Sequence, residues 1–256
     1  MEIDNGHLTL ALAQKEEDLL GAERLRYEVF VEELGGDGAL VDHTGRFERD
    51  RFDPVFDHLI LIDETRDSAA LDHVVGVYRV LPSGRSDQYY SEGEYDLSPL
   101  IETGRPLLEL GRTCVRDGYR NGVALHLLWN GLAEYVRSRN IEILFGVASL
   151  HGTDIDALAG PLSLLYNAQL APRDLRVRAQ DGVYQPMDLV PPDQIDRVVA
   201  MRAVPALIKS YLKLGGFVGD GAFIDHDFNT TDVCLVIDVD RMTPAARARY
   251  AKGARA

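Results

Sequence analysis

Glu109 and Arg112 lie inside Leu107-Leu-Glu-Leu-Gly-Arg-Thr-Cys-Val115, a run otherwise apolar enough to be a central strand. Buried charges are costly unless paired, so two in one strand suggest a site, with a strand-end ion pair as the alternative. Residues two apart in a strand share a face, and these are three apart. Gly111 between them permits a bulge that would bring the two together and splay the neighbouring strand ending at Ser149, freeing backbone N–H groups to polarise a carbonyl. The following turn, Val115-Arg-Asp-Gly-Tyr-Arg-Asn-Gly122, feeds a helix, where backbone N–H groups can hold a phosphate or pyrophosphate. Further charges sit at chemically useful spacings. Arg26 and Phe30 are one helical turn apart, Glu48, Asp50 and Asp53 share one short segment, and Arg79 interrupts an apolar strand. Guanidiniums and acids together suit a zwitterionic amino acid, since arginine pairs bidentately with a carboxylate while acids hold an ammonium.

These residues need elements to position them. Leu8, Leu10 and Leu12 alternate as in a half-buried strand, and Leu19, Ala22, Leu25 and Val29 recur at helical spacing. Residues 34–57, rich in Gly and Asp, read as a long loop, and 58–63 and 74–80 as an antiparallel hairpin. Ala124, Leu127, Leu128, Leu132 and Tyr135 form one face of a helix over 123–139, and 143–149 is a buried-strand run. Strand, helix and strand then form a crossover whose two strands should be near neighbours. Residues 155–192 read as irregular insertions. Pro205 starts a helix that Gly215-Gly216 ends, 233–239 is a last strand, and the tail from Thr243 is expected to fray. No repeat or linker divides the chain. The expectation is one α/β domain over 1–256, with a core to residue 154 and a C-terminal elaboration over 155–256 that completes a mixed, twisted sheet flanked by helices.

The net charge of −14 over 256 residues is spread unevenly, −15 in residues 1–104, +2 in 105–215 and −1 beyond. That balance disfavours nucleic acid, while the middle third, with Arg116, Arg120, Lys209 and Lys213, could receive an acidic protein. No eighteen-residue apolar tract occurs and the N-terminus lacks the marks of a signal peptide, so a cytoplasmic location is expected. Met201–Leu214, apolar on one face with lysines beside it, could touch a membrane surface. Cys114 and Cys234 read as buried thiols, and neither His151 with Asp154 nor His226 has the partner set of a metal site.

In order and approximate spacing, Arg26-x-x-x-Phe30, Glu48-x-Asp50-x-x-Asp53, Arg79-Val-Leu-Pro and Glu109-x-x-Arg112 resemble the acyl-homoserine-lactone synthases of the GNAT acyltransferase superfamily. Where those enzymes carry an aromatic-rich segment, this chain has Gly35-Gly-Asp-Gly38, a departure that counts against lactone formation. Leu144-Phe-Gly-Val-Ala-Ser-Leu-His-Gly-Thr-Asp154, Pro205–Gly215, Gly219-Asp-Gly-Ala222 and Phe228-Asn-Thr-Thr-Asp232 resemble the ornithine N-acyltransferases that make lyso-ornithine lipid. The resemblance implies a GNAT fold and attack of the α-amino group of L-ornithine on a 3-hydroxyacyl thioester of acyl carrier protein, with no permanently bound cofactor and no metal. It implies Glu109 as the base, directly or through water, with Glu48 second. Arg26, Arg79 and Arg112 would anchor the ornithine carboxylate and the acids, Asp50 and Asp53 would hold the distal ammonium, and Phe30, Ser149 and His151 would border the substrate. Val115, Arg116, Arg120 and Gly122, extended by Lys209 and Lys213, would meet phosphopantetheine or the carrier. The alternatives are a lactone synthase, an acyltransferase for glutamine or glycine, and an inactive carrier-binding module.

Overall fold

The computed structural model describes residues 3–243, so most of the tail expected to fray lies outside the described residues. In chain order the first elements are β1 (Ile3–Asn5), β2 (Leu8–Leu12), α1 (Glu16–Arg26), β3 (Asp57–Asp63), β4 (Val74–Pro82), β5 (Tyr95–Asp96), α2 (Ser98–Ile101) and β6 (Leu107–Val115). There follow α3 (Val123–Ser138), β7 (Ile143–His151), α4 (Ile155–Gln169), β8 (Arg178–Ala179), α5 (Arg197–Ala203), α6 (Ala206–Lys213), β9 (Phe217–Val218), β10 (Phe223–Asp225) and β11 (Thr230–Asp238). The described chain forms two compact units, one of residues 3–81 with 110–140, the other of 82–109 with 141–243.

In the first unit β1, β2, β3 and β4 pair antiparallel in sequence order; short turns join β1 to β2 and β3 to β4, while α1 and the long loop after it bring β3 back beside β2. Ala22 and Leu25 of α1, with Val29 just beyond its end, pack on Ile60, Val74, Val77 and Cys114, with Phe30 flanking this cluster. After Arg26 the helix loosens into a π-helical stretch, Tyr27–Glu33, a rare form that often marks functional sites. The apolar face of α3 buries Leu127, Leu128, Leu132 and Tyr135. Gly76 allows its approach to β4, since a Cβ there would sit 3.1 Å from Leu128 and 3.2 Å from Leu61.

In the second unit β7 pairs in parallel with the start of β6, as a crossover requires, and antiparallel with the whole of β11. The other side of β11 receives β10 and β9. Arg105 clamps this sheet at one end, reaching both carboxylate oxygens of Asp238 at 2.8 and 2.9 Å and Glu142 at 2.6 Å. Residues 155–169, expected to be irregular, instead form α4. Asp154 caps it by accepting from the N–H groups of Asp156 and Ala157, and Pro161 falls within it. A proline beyond the first turn argues against a helix in sequence, but burial of Leu162, Leu164 and Leu165 outweighs it here. Among the described residues no helix is long and apolar enough to cross a membrane.

Candidate functional site

In the first unit the phase of α1 turns Arg26 inward at the junction with the π-helical stretch, where it is 0% exposed. Its guanidinium grips Asp53 bidentately at 2.6 and 2.8 Å, and donates to the side chain of Glu48 at 2.5 Å and its carbonyl at 2.6 Å. Arg79, equally buried on β4, reaches Asp53 at 2.8 Å and Asp50 at 2.7 Å while stacking over Phe56. Arg112 completes the set, donating to Glu48 at 3.1 Å and lying 3.4 Å from Asp50. The loop between α1 and β3 supplies all three acids. Asx-type bonds shape it, Asp50 N–H to Asp53 and Phe52 N–H to Asp50, both 2.8 Å.

Three cations thus meet three anions in a closed network. Burial pushes the Glu48, Asp50 and Asp53 carboxyls up, but the neighbouring guanidiniums outweigh it and hold all three below the usual carboxylate range. His58 lies 3.3 Å from the Asp53 carbonyl, and burial with the nearby Arg26 charge lowers its pKa to about 4, so it stays neutral. Arg26, Arg79, Glu48, Asp50, Asp53 and Arg112 are therefore brought together as the sequence suggested, with Arg26 and Arg79 innermost. Arg112 adopts φ 48°, a left-handed conformation rare for a non-glycine residue, so the irregularity in β6 falls at Arg112 itself.

The turn after β6 holds two glycines in the left-handed region. Gly118 and Gly122 have φ 84° and 93°, with nothing within 4 Å of a Cβ at either, so the turn needs glycine for its backbone while facing open space. Arg120 donates to the Val115 carbonyl at 2.9 Å. Arg116 is engaged by Glu28 at 2.5 Å and Asp72 at 3.2 Å, and Arg120 by Glu33 at 2.6 Å.

Glu109 belongs to the second unit and is 1% exposed. Its carboxylate accepts the Tyr90 N–H at 2.9 Å, the Ser91 N–H at 2.7 Å and the Ser91 hydroxyl at 2.6 Å, which seats the helical turn Tyr90–Gly93 on β6. Ser149 on β7 stands opposite Asp232 of β11, and His151, exposed, opposite Thr230. Lys209 and Lys213 lie on α6, with Lys209 donating to the Arg202 carbonyl at 3.2 Å. Sequence reasoning missed His58, Tyr90, Ser91 and the inward-facing Thr230 and Asp232. The last two carried a legible signal, a polar start to the apolar run 233–239.

Residues 25–130 match the acetyltransferase (GNAT) domain family. The chain is 52% identical over 246 residues to the L-ornithine N(alpha)-acyltransferase of Rhodobacter capsulatus, covering 95% of this chain and 94% of that protein. It is 38% identical to the protein of the same name from Brucella abortus, over 93% of this chain and 86% of that one. Among solved structures it shares a fold with FeeM, an N-acyl amino acid synthase from uncultured soil microbes, at TM-score 0.54 and 10% identity, over 94% of this chain and 97% of that one. The CoA-dependent acyl-homoserine lactone synthase BjaI, solved with MTA, gives TM-score 0.51 at 13% identity, over 93% and 82%. With a GNAT-type fold, the buried arginine–carboxylate network and identity of this extent along nearly the whole chain, the protein belongs to the L-ornithine N(alpha)-acyltransferase family.

Proposed function

We propose that the protein transfers a 3-hydroxyacyl group from the phosphopantetheine thioester of acyl carrier protein to the α-amino group of L-ornithine, giving lyso-ornithine lipid. The observation that carries this reading is the 52% identity, over 95% of the chain, to a relative bearing the ornithine acyltransferase name. In the reaction the amine nitrogen attacks the thioester carbonyl, the C–N bond forms as the C–S bond breaks, and the carrier thiol leaves with a proton. Orientation and proton removal are the protein's principal contributions. Glu109, fixed by three donors, takes the proton directly or through water. Glu48 is engaged by Arg26 and Arg112, which favour its charged form. It serves to hold Arg112, while Arg26 and Arg79 fix the acids that position Arg112. Arg120, more exposed than Arg116, faces the acidic carrier. The amphiphilic product must reach a membrane, and on this reading α6 with Lys209 and Lys213 lies at that surface.

Incubation with 3-hydroxyacyl carrier protein and a mixture of amino acids, followed by mass spectrometry, tests this. A dominant ornithine amide with release of the carrier thiol is expected. A dominant amide of another amino acid, or no thiol release with any acceptor, rejects it.

A further inference from the structure

Strand register in the second unit lines up one face of its sheet. Glu109 pairs with Phe145, Phe145 with Val236, Val147 with Cys234, Ser149 with Asp232 and His151 with Thr230, so these side chains share a face. One end of that face is apolar, where Leu107, Phe145, Cys234 and Val236 pack with Tyr95. Toward the other end it becomes polar and acidic, with Ser149, Thr230 and Asp232. Val147 and Ser149 are only half-buried, leaving an accessible strip beside Asp232, which is 5% exposed.

Two further observations bear on this end. The Thr230 hydroxyl, on a residue 6% exposed and two positions from Asp232 on the same strand face, is buried without a hydrogen-bond partner among the described residues. Such a hydroxyl calls for a hydrogen-bond partner. The segment covering the face adds Glu94, 6% exposed. Burial raises the Tyr95 hydroxyl, and Glu94 and Asp232 act on it together, while Glu94 and Glu109 both act on the Cys234 thiol. The Tyr95 hydroxyl donates to the Asp232 carbonyl at 2.9 Å and Tyr95 packs in one cluster with Phe145 and Cys234, so Glu94, Glu109 and Asp232 lie around one apolar strip.

We infer that this strip binds the side chain of the amino acid acceptor, its methylenes over Val147 and its terminal ammonium held by Asp232 with the Thr230 and Ser149 hydroxyls. The inference rests on the acyl-transfer reading above and deepens it by naming the residues that select a basic acceptor. It moves that role away from Asp50 and Asp53, which their arginines already occupy. A carboxylate in a mostly dry site favours an ammonium over a methyl group at the same position.

The test compares acylation of ornithine with that of norvaline, which has the same carbon chain without the terminal amine. In the wild type kcat/KM favours ornithine, and Asp232→Asn lowers the ornithine-to-norvaline ratio by at least about tenfold. Ser149→Lys, a change at a half-buried position, places a competing ammonium beside Asp232 and lowers the ratio likewise. Circular dichroism shows which variant is folded, and either one suffices. An unchanged ratio in a folded variant overturns the inference, as does a wild type that acylates norvaline as readily as ornithine. A wild type that acylates neither overturns the acyl-transfer reading itself.

Discussion

Arg26 shows what a buried charge costs and what stabilises it. Both edges of its guanidinium are used, on Asp53 and Glu48. Arg26→Ala strands those two acids in a buried place, and urea unfolding should show a loss of roughly 3–5 kcal/mol. His58 gives a pH signature. Its folded pKa of about 4 lies below the ordinary value of 6.5, so the unfolded chain binds the proton more tightly between those values. Stability therefore falls as pH drops from 6.5 to 4, by on the order of 3 kcal/mol, and is restored as pH rises. Thermal unfolding across this window should show that slope in the wild type and a flatter one in His58→Gln; equal slopes reject the assignment. Glu109→Gln keeps size and removes charge. Turnover should drop at least about a hundredfold with little change in the KM for ornithine, and full activity would remove Glu109 from proton transfer.

At the scale of elements, the loop between α1 and β3 and the turn after β6 are of different kinds. The loop's acids are locked by arginines from α1, β4 and β6, so it behaves as part of the core despite its lack of regular structure. The turn is open at Gly118 and Gly122, and its two arginines differ in setting. The Arg116 side chain is 13% exposed and tied to Glu28 and Asp72, whereas that of Arg120 is 44% exposed and tied to Glu33. Charge reversal at Arg120 should raise the KM for acyl carrier protein several-fold at low salt while leaving the KM for ornithine in place, because exposed charges steer a charged partner. An unchanged carrier KM would remove Arg120 from docking. Helix α4 shows how packing can override a local signal. Its Asp154 cap was visible in sequence only as a partner of His151 weighed for metal binding, and the helix it caps was hidden by Pro161.

For the whole molecule, a net charge of −14 places self-repulsion on the surface, while the pairs that matter most are buried and little screened. Raising sodium chloride from about 0.05 to 0.5 M should therefore raise the melting midpoint by a few degrees, read by calorimetry; a fall would show that exposed ion pairs dominate. The periodicities of the leucines in 8–12, of the stripe in 123–138 and of the apolar runs 58–63, 74–80 and 143–149 were enough to determine those elements. Apolar side chains report a local period, and a local period is all that a strand or helix requires. The ordered charges Arg26, Glu48, Asp50, Asp53, Arg79 and Arg112 were legible as a set for a related reason, since ionic residues in apolar surroundings need partners. Their pairing was not legible. Which arginine holds which acid, the backbone N–H groups that seat Glu109, and the alignment of Ser149 with Asp232 depend on strand register and on a loop closing over tens of residues. Those contacts join positions far apart in the chain, and only the tertiary structure decides them.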